Sequence, residues 1–304
     1  MSAHPLIAVD WGTSNFRAFL VDRVSGECLD SRRSEVGLRA LSAGEFPHYC
    51  ASQVKDWRDG GRVPVYLSGM VGSGRGWCEA PQLQVPAGLD DLVTRLMPAP
   101  GLASAWIVPG LKTVSEAHVD VMRGEEIQAL GAMAHQGLAD GICCLPGTHS
   151  KWARLSAGRL VDFTTAMTGE LYHAVRFHTL VGEPARDSGE IDEAGFRQGL
   201  EAARHPAGVL HALFEARSRH LYGGLEGASV AGFISGVLIG SEILAQASLW
   251  RRQEVTLVGS ATMNAWYRIA LEEQGVTVVE VKSDAATLSG IKALADRHEA
   301  MNPA

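Results

Sequence analysis

Two stretches of the chain repeat one pattern of apolar runs and polar turns. In the first, the apolar run at 6–9 ends at Asp10, and the turn Trp11-Gly12-Thr13-Ser14-Asn15 follows. Residues 16–21 are mainly apolar again, 22–26 turn, and 27–31 continue, which predicts strand, turn, strand, hairpin, strand. In the second stretch 142–145 is apolar and Pro146-Gly147-Thr148-His149-Ser150 turns. Residues 151–155 and 159–164 then read as strands joined by a hairpin at Ser156-Ala157-Gly158. Gly12-Thr13 and Gly147-Thr148 stand 135 residues apart, close to half the chain, and the shared order of elements predicts an internal duplication.

Between the repeats the period lengthens. Residues 124–138 open with Glu125 and Glu126 and carry apolar residues at 127, 130 and 133–134. They predict a helix whose acidic first turn suits the positive end of its dipole. Residues 228–249 predict a long apolar helix with Gly232, Gly236 and Gly240 on one face, open to close approach by another backbone. Further on, 255–258 predicts a strand, Gly259-Ser260-Ala261 a turn, 264–274 a helix, 276–281 a strand and 284–300 a last helix. The length of 304 residues suits about two domains. They are expected at 1–140 and 141–304, with the last helix packing back on the first domain.

Composition narrows the class. Hydrophobic residues at 46% and charged residues at 20% suit a globular core. The balance of 27 basic against 34 acidic residues, a net charge of −7, argues against nucleic acid as the main partner. Cys28, Cys50, Cys78, Cys143 and Cys144 include no CxxC spacing, so neither a disulfide framework nor a zinc site is expected, and a reducing cytoplasm is the expected compartment. Residues 1–12 lack the pattern of a secretory signal. The charge-free run at 227–241, 15 residues, is too short to span a bilayer, so no membrane partner is expected. The 34 glycines, about 11% of the chain against a usual ~7%, are aperiodic and need another use.

The turns supply that use. The chain has no GxxxxGK[ST] loop and no GxGxxG after the first strand. Each repeat instead ends a buried strand in a Gly-Thr pair, which offers backbone N–H groups and a hydroxyl with little side-chain obstruction to phosphate oxygens. Asp10, at the end of the first strand, is placed to hold Mg²⁺ through its waters.

On these residues the chain resembles the actin-like ATPase superfamily, in which sugar kinases, actin and heat-shock chaperones share duplicated ribonuclease-H-like α/β domains. That likeness implies mixed sheets flanked by helices and a cleft between the domains. Asp10-Trp11-Gly12-Thr13-Ser14-Asn15 looks like the first phosphate motif, Pro146-Gly147-Thr148-His149 the second, and Val258-Gly259-Ser260-Ala261 the adenosine motif. Arg17 matches an arginine that lies near the phosphates in glycerol-kinase-like members. Further blocks resemble the 2-dehydro-3-deoxygalactonokinase family: Ser68-Gly69-Met70-Val71-Gly72-Ser73 with Gly76-Trp77 and Glu79-Ala80-Pro81, Asp120-Val121-Met122-Arg123-Gly124-Glu125-Glu126, Leu145 to Trp152, Phe163-Thr164-Thr165-Ala166-Met167-Thr168-Gly169-Glu170, and Arg219-His220-Leu221. The resemblance spans 7–294. It implies ATP-dependent phosphorylation of 2-dehydro-3-deoxy-D-galactonate on its terminal hydroxyl, in galactonate breakdown.

Related sugar kinases carry their base as Asp in a Gly-Asp pair opening the first connecting helix. Glu125 occupies that place, as Glu rather than Asp, with Asp120 and Glu126 as alternatives. The resemblance further implies nucleotide contacts at Asp10, Gly12, Thr13, Ser14, Asn15, Arg17, Gly147, Thr148, His149, Gly259 and Ser260. An anionic substrate needs cationic or amide partners. Gly72, Ser73, Arg75, Trp77, Lys151 and Thr168 are the substrate candidates, Arg75 foremost for the carboxylate. His173 and His178 lack metal-ligand company and are expected to be structural. The expected partners are thus a small sugar acid and ATP, with self-association left open. Kinases for other sugars or sugar acids, and a nucleotide-driven actin- or chaperone-like switch, are the rival readings.

Overall fold

The computed structural model describes residues 5–42, 44–189, 191–250 and 254–302. The first repeat forms β1 (Pro5–Trp11), β2 (Phe16–Asp22) and β3 (Cys28–Ser34). Antiparallel pairing of β1 with β2 sets Asp10 opposite Arg17 and Trp11 opposite Phe16. Next come α1 (Phe46–Val54) and β4 (Val65–Ser68), and β4 pairs parallel with β1 so that Ser68 lies beside Asp10. β5 (Gln82–Gln84), β6 (Ala87–Gly88), α2 (Leu89–Val93), β7 (Met97–Pro98), β8 (Ala105–Ile107), β9 (Gly110–Val114) and β10 (Val119–Met122) lead to α3 (Glu125–Gln136).

The second repeat forms β11 (Gly141–Leu145), β12 (Ser150–Ser156) and β13 (Arg159–Ala166). Helices α4 (Thr168–His178), α5 (Glu193–Ala202), α6 (Val209–Tyr222), α7 (Val230–Ala245) and α8 (Ala247–Trp250) follow. The described chain closes with β14 (Val255–Gly259), α9 (Ala261–Glu272), β15 (Val278–Lys282) and α10 (Ser283–Met301). The sheets run β3-β2-β1-β4-β8-β7, β10-β9-β5 and β15-β14-β11-β12-β13-β6.

The chain divides into two compact units. Unit 1 takes Met1–Cys143, Ala153–Thr164 and Val281–Ala304, and unit 2 takes Cys144–Trp152 and Thr165–Glu280. In unit 1 the buried Trp11 ring meets Phe16 and Phe46 edge-on, at centroid distances of 4.8 and 5.2 Å. Helix α10 packs on α3, α2 and β1 within this unit.

In unit 2 the glycine face of α7 packs closely on α5, against its backbone at Gly236 and against the Leu200 and Ala203 side chains at Gly240. A Cβ at Gly236 would stand 2.0 Å from the Phe196 carbonyl oxygen, and one at Gly199 would stand 2.1 Å from that of Phe233. The helical stretch Gly227–Ala245 is 19 residues long and apolar enough to cross a membrane, but 72% of its most apolar window is buried inside the protein, as suits a core helix. The expected helix at 228–249 is interrupted at Gln246, which caps α7. The turn expected at Gly259-Ser260-Ala261 is shorter than its sequence suggests. Ser260 is the N-cap of α9, its Oγ accepting from the Met263 N–H at 3.3 Å, so Ala261 is already helical.

Candidate active site

The first Gly-Thr turn of unit 1 is held by its own backbone and by the segment after β3. The Gly12 N–H donates to Asn15 O at 2.9 Å, and Leu38 N–H donates to Gly12 O at 3.0 Å. Gly37 presses on the turn, where a Cβ would lie 2.4 Å from Thr13 O. Gly12 itself is unobstructed: a Cβ there would meet only Asn15 O, at 3.8 Å. Thr13 is half-buried, and Ser14 and Asn15 are exposed. Asp10, 13% exposed, accepts hydrogen bonds at Oδ2 from Arg17 and, at 3.2 Å, from Gln128 of α3. Arg17 also pairs with Asp284 at 2.8 Å and Ser283 Oγ at 3.2 Å, so its guanidinium ties Asp10 to the start of α10.

Two glycines bring the start of α3 to this turn. Gly69 and Gly124 adopt φ of 100° and 109°, which L side chains rarely tolerate. A Cβ at Gly69 would stand 2.7 Å from Trp11 O, and one at Gly124 would stand 3.0 Å from Gly69 Cα. The ends of β1 and β4 and the start of α3 therefore meet backbone to backbone. Glu125, half-buried, accepts from Arg123 N–H at 3.1 Å. Glu126 is fully buried, and both its oxygens accept from Gly124 N–H, at 2.9 and 2.7 Å. Burial, and then the neighbouring Glu125 charge, push the Glu126 carboxyl up to about 8. Asp120 lies in β10 opposite Thr113, its Oδ1 accepting from Val121 N–H at 2.7 Å.

The loop after β4 mixes polar groups with structural ones. Ser73 Oγ is buried without a hydrogen-bond partner, and Arg75 is exposed. Gly72 is packed: a Cβ would stand 2.8 Å from Ile107 Cγ2 and 3.0 Å from Arg123 Nη1. Trp77 is only 8% exposed, donates its indole N–H to Pro100 O at 3.0 Å and meets Trp11 edge-on, so it fills the core. Arg123 ties the loop to α3 by donating to Ala80 O at 2.8 Å, while its Nη1 is buried and unpartnered. A cavity of about 440 Å³ beyond this loop is lined by Gln82, Gln84, Asp91, Thr94 and Arg95 among others. In the sequence only the polar-apolar-polar triplet Gln82-Leu83-Gln84 marks this lining.

In unit 2 the second Gly-Thr turn rests on the start of α4. Glu170 N–H donates to Thr148 O at 3.0 Å, and a Cβ at Gly169 would lie 2.5 Å from Gly147 O. Gly147 is open like Gly12, with only His149 O at 3.9 Å from a Cβ. His149 Nε2 lies 2.7 Å from Glu170 Oε2, both about half exposed. Lys151 is 4% exposed, and its Nζ donates to His149 O at 3.4 Å beneath the turn. Thr168, the first residue of α4, donates to the buried Glu242. Gly259 lies against Asn264, whose Oδ1 would be 2.6 Å from a Cβ. His173 and His178 meet each other ring to ring at 5.6 Å.

A family model described as 2-keto-3-deoxy-galactonokinase matches residues 10–294. The 2-dehydro-3-deoxygalactonokinase of Escherichia coli strain K12 is 38% identical over 294 residues, which cover 95% of this chain and 97% of that one. A crystal structure of a candidate 2-dehydro-3-deoxygalactonokinase from Sinorhizobium meliloti superposes with a TM-score of 0.89 at 34% identity, over 98% of this chain and 100% of that one. Component A of (R)-2-hydroxyglutaryl-CoA dehydratase from Acidaminococcus fermentans superposes with a TM-score of 0.54 at 15% identity, over 97% and 99%, a likeness of fold alone. The fold is α/β, of the actin-like ATPase kind, with mixed sheets flanked by helices. The matched stretch begins at the Asp10 turn, runs through the converging glycines and the second turn, and ends in α10: this chain belongs to the 2-keto-3-deoxy-galactonokinase family.

Proposed function

We propose that the chain transfers the terminal phosphoryl group of ATP to the 6-hydroxyl of 2-dehydro-3-deoxy-D-galactonate, a step of galactonate catabolism in the cytoplasm. The observation that carries this reading is the convergence at Gly69 and Gly124, which sets the acidic start of α3 beside the Asp10 turn within unit 1. Phosphoryl transfer to an alcohol needs a carboxylate for the attacking hydroxyl and donors for the phosphate charge.

Glu125 is assigned the base. Glu126, with its carboxyl pushed up to about 8, holds its proton through neutral pH and is a poor acceptor there. Asp120 lies within the β10 ladder, outside the backbone convergence. The open face of Gly12 in unit 1, and separately that of Gly147 in unit 2, supports a phosphate contact at its own turn, because neither the surrounding chain nor a positive φ requires glycine at either position. Arg17 and Gln128 both engage Oδ2 of Asp10, leaving Oδ1 for a hydrated Mg²⁺. When bound, that cation would neutralise phosphate charge. Ser73 and Arg75 are assigned to the sugar acid, with Arg75 meeting its carboxylate.

ADP release measured over a panel of 2-keto-3-deoxy acids and neutral sugars tests the reading. Strong stimulation by 2-dehydro-3-deoxy-D-galactonate is expected. Preference for another acid would move the substrate, and slow hydrolysis indifferent to every sugar would replace the kinase with a nucleotide switch.

A further inference from the structure

Glu242 is the first charged residue after Glu226, and it lies in the apolar core helix α7, 6% exposed. A carboxylate in such a place needs its lone pairs filled. Four side chains fill them. Trp152 Nε1 donates to Oε1 at 2.7 Å, while Ser150 Oγ and Tyr267 Oη each donate to Oε2 at 2.8 Å, and Thr168 Oγ1 donates to the same oxygen. Ser150, Trp152 and Tyr267 are themselves fully buried.

Two of these donors bracket the second Gly-Thr turn. Ser150 directly follows His149 and begins β12, and Thr168 begins α4. The start of α4 is the surface on which the turn rests, through Glu170 N–H on Thr148 O and Gly169 against Gly147. One carboxylate therefore holds both the strand that leaves the turn and the helix that braces it. Ser150 Oγ also lies 3.3 Å from Ala166 O at the end of β13; the Glu242 carboxylate is the acceptor that Ser150 and Thr168 share.

We infer that Glu242 is a positioning residue for nucleotide binding: it fixes the shape of the 147–149 turn from beneath, without touching the nucleotide. This rests on the reading of that turn as a phosphate site. Glu242→Gln keeps the packing volume but turns one oxygen into a donor: either way the amide sits, it faces the Trp152 N–H or the three hydroxyls, and the acceptor that remains is uncharged.

The test is calorimetric titration of ADP, and separately of 2-dehydro-3-deoxygalactonate, into the parent chain, Glu242→Gln, Ser150→Ala and Gly147→Ala. Glu242→Gln and Ser150→Ala are expected to weaken ADP about tenfold, the scale of one hydrogen bond to a charged group, and to leave the sugar-acid affinity within about twofold. If Glu242→Gln does not fold, Ser150→Ala decides alone. Unchanged ADP affinity in a folded variant, or equal loss for both ligands, overturns the inference. Unchanged ADP affinity in Gly147→Ala overturns the phosphate reading of the turn itself, which separates the two failures.

Discussion

Gly131 of α3 lies against Gly290 of α10: a Cβ built at position 131 would stand 2.6 Å from the Gly290 amide nitrogen, and 2.0 Å from the Ala286 carbonyl oxygen. The reverse also holds, since a Cβ at Gly290 would stand 2.3 Å from Ile127 O. The two backbones touch, and no rotamer change relieves a methyl group placed there.

Gly131→Ala is therefore expected to destabilise the protein by about 1–3 kcal/mol, the usual range for overpacking. Gly44→Ala, at an exposed position where a Cβ meets nothing within 4 Å, is the control and should stay within about 0.5 kcal/mol. Urea unfolding midpoints of the two variants check the contrast.

Gly12→Ala and Gly147→Ala should show the opposite signature. Each Cβ has open space within the chain, so unfolding midpoints should match the parent. A methyl group over the turn would intrude where phosphate oxygens approach, and ADP affinity should fall about tenfold or more, the loss of one charge-assisted hydrogen bond or more. Loss of stability with affinity intact would reverse the assignment of these two glycines.

Glu126 should leave a mark on stability against pH. Its folded-state carboxyl sits at about 8, above the ordinary value, so the folded protein keeps a proton that the unfolded chain gives up. Its contribution is full below the ordinary carboxylate range and is lost as pH rises toward about 8. Glu126→Gln removes this dependence, and its stability relative to the parent should rise between about pH 5 and pH 8. Paired denaturation curves across that window read the difference, and parallel curves would place the proton elsewhere.

Glu125→Gln should lower kcat by on the order of 10²–10⁴ while leaving ADP binding unchanged. Retention of more than half the activity would take the base role from Glu125. Asp120→Asn, in the three-stranded sheet, should by contrast stay within a few-fold of the parent in the same ADP-release assay.

What the sequence disclosed follows from how local each signal is. The strand-turn-strand units around Gly12 and Gly147 read directly, because an apolar run stops at the turn and strand-like sequence resumes within a few residues. The glycine face of α7 read equally well, since a spacing of four is a property of one helix. Contacts between distant segments did not read. Gly69 and Gly124 gain their meaning only when β4 pairs with β1, and Glu242 only when residues 150, 152, 168 and 267 gather around it. Trp77 shows the limit from the other side: loop spacing cannot tell an indole that meets a ligand from one that donates to Pro100 and packs on Trp11.

The membership of α10 in unit 1 bears on how the protein is made. Residues 281–302 are synthesised after every residue of unit 2, yet they supply Asp284 to Arg17 and Gly290 to Gly131. At ribosomal rates of about 5–20 residues per second, β1, β2 and α3 emerge many seconds before their last partner. During that interval the α3 face that Gly290 will cover is bare, and Arg17 holds Asp10 without its second carboxylate. Unit 1 therefore gains its last element only once residues 281–302 have been made, and the close backbone packing of α3 on α10 cannot form before unit 2 has been synthesised.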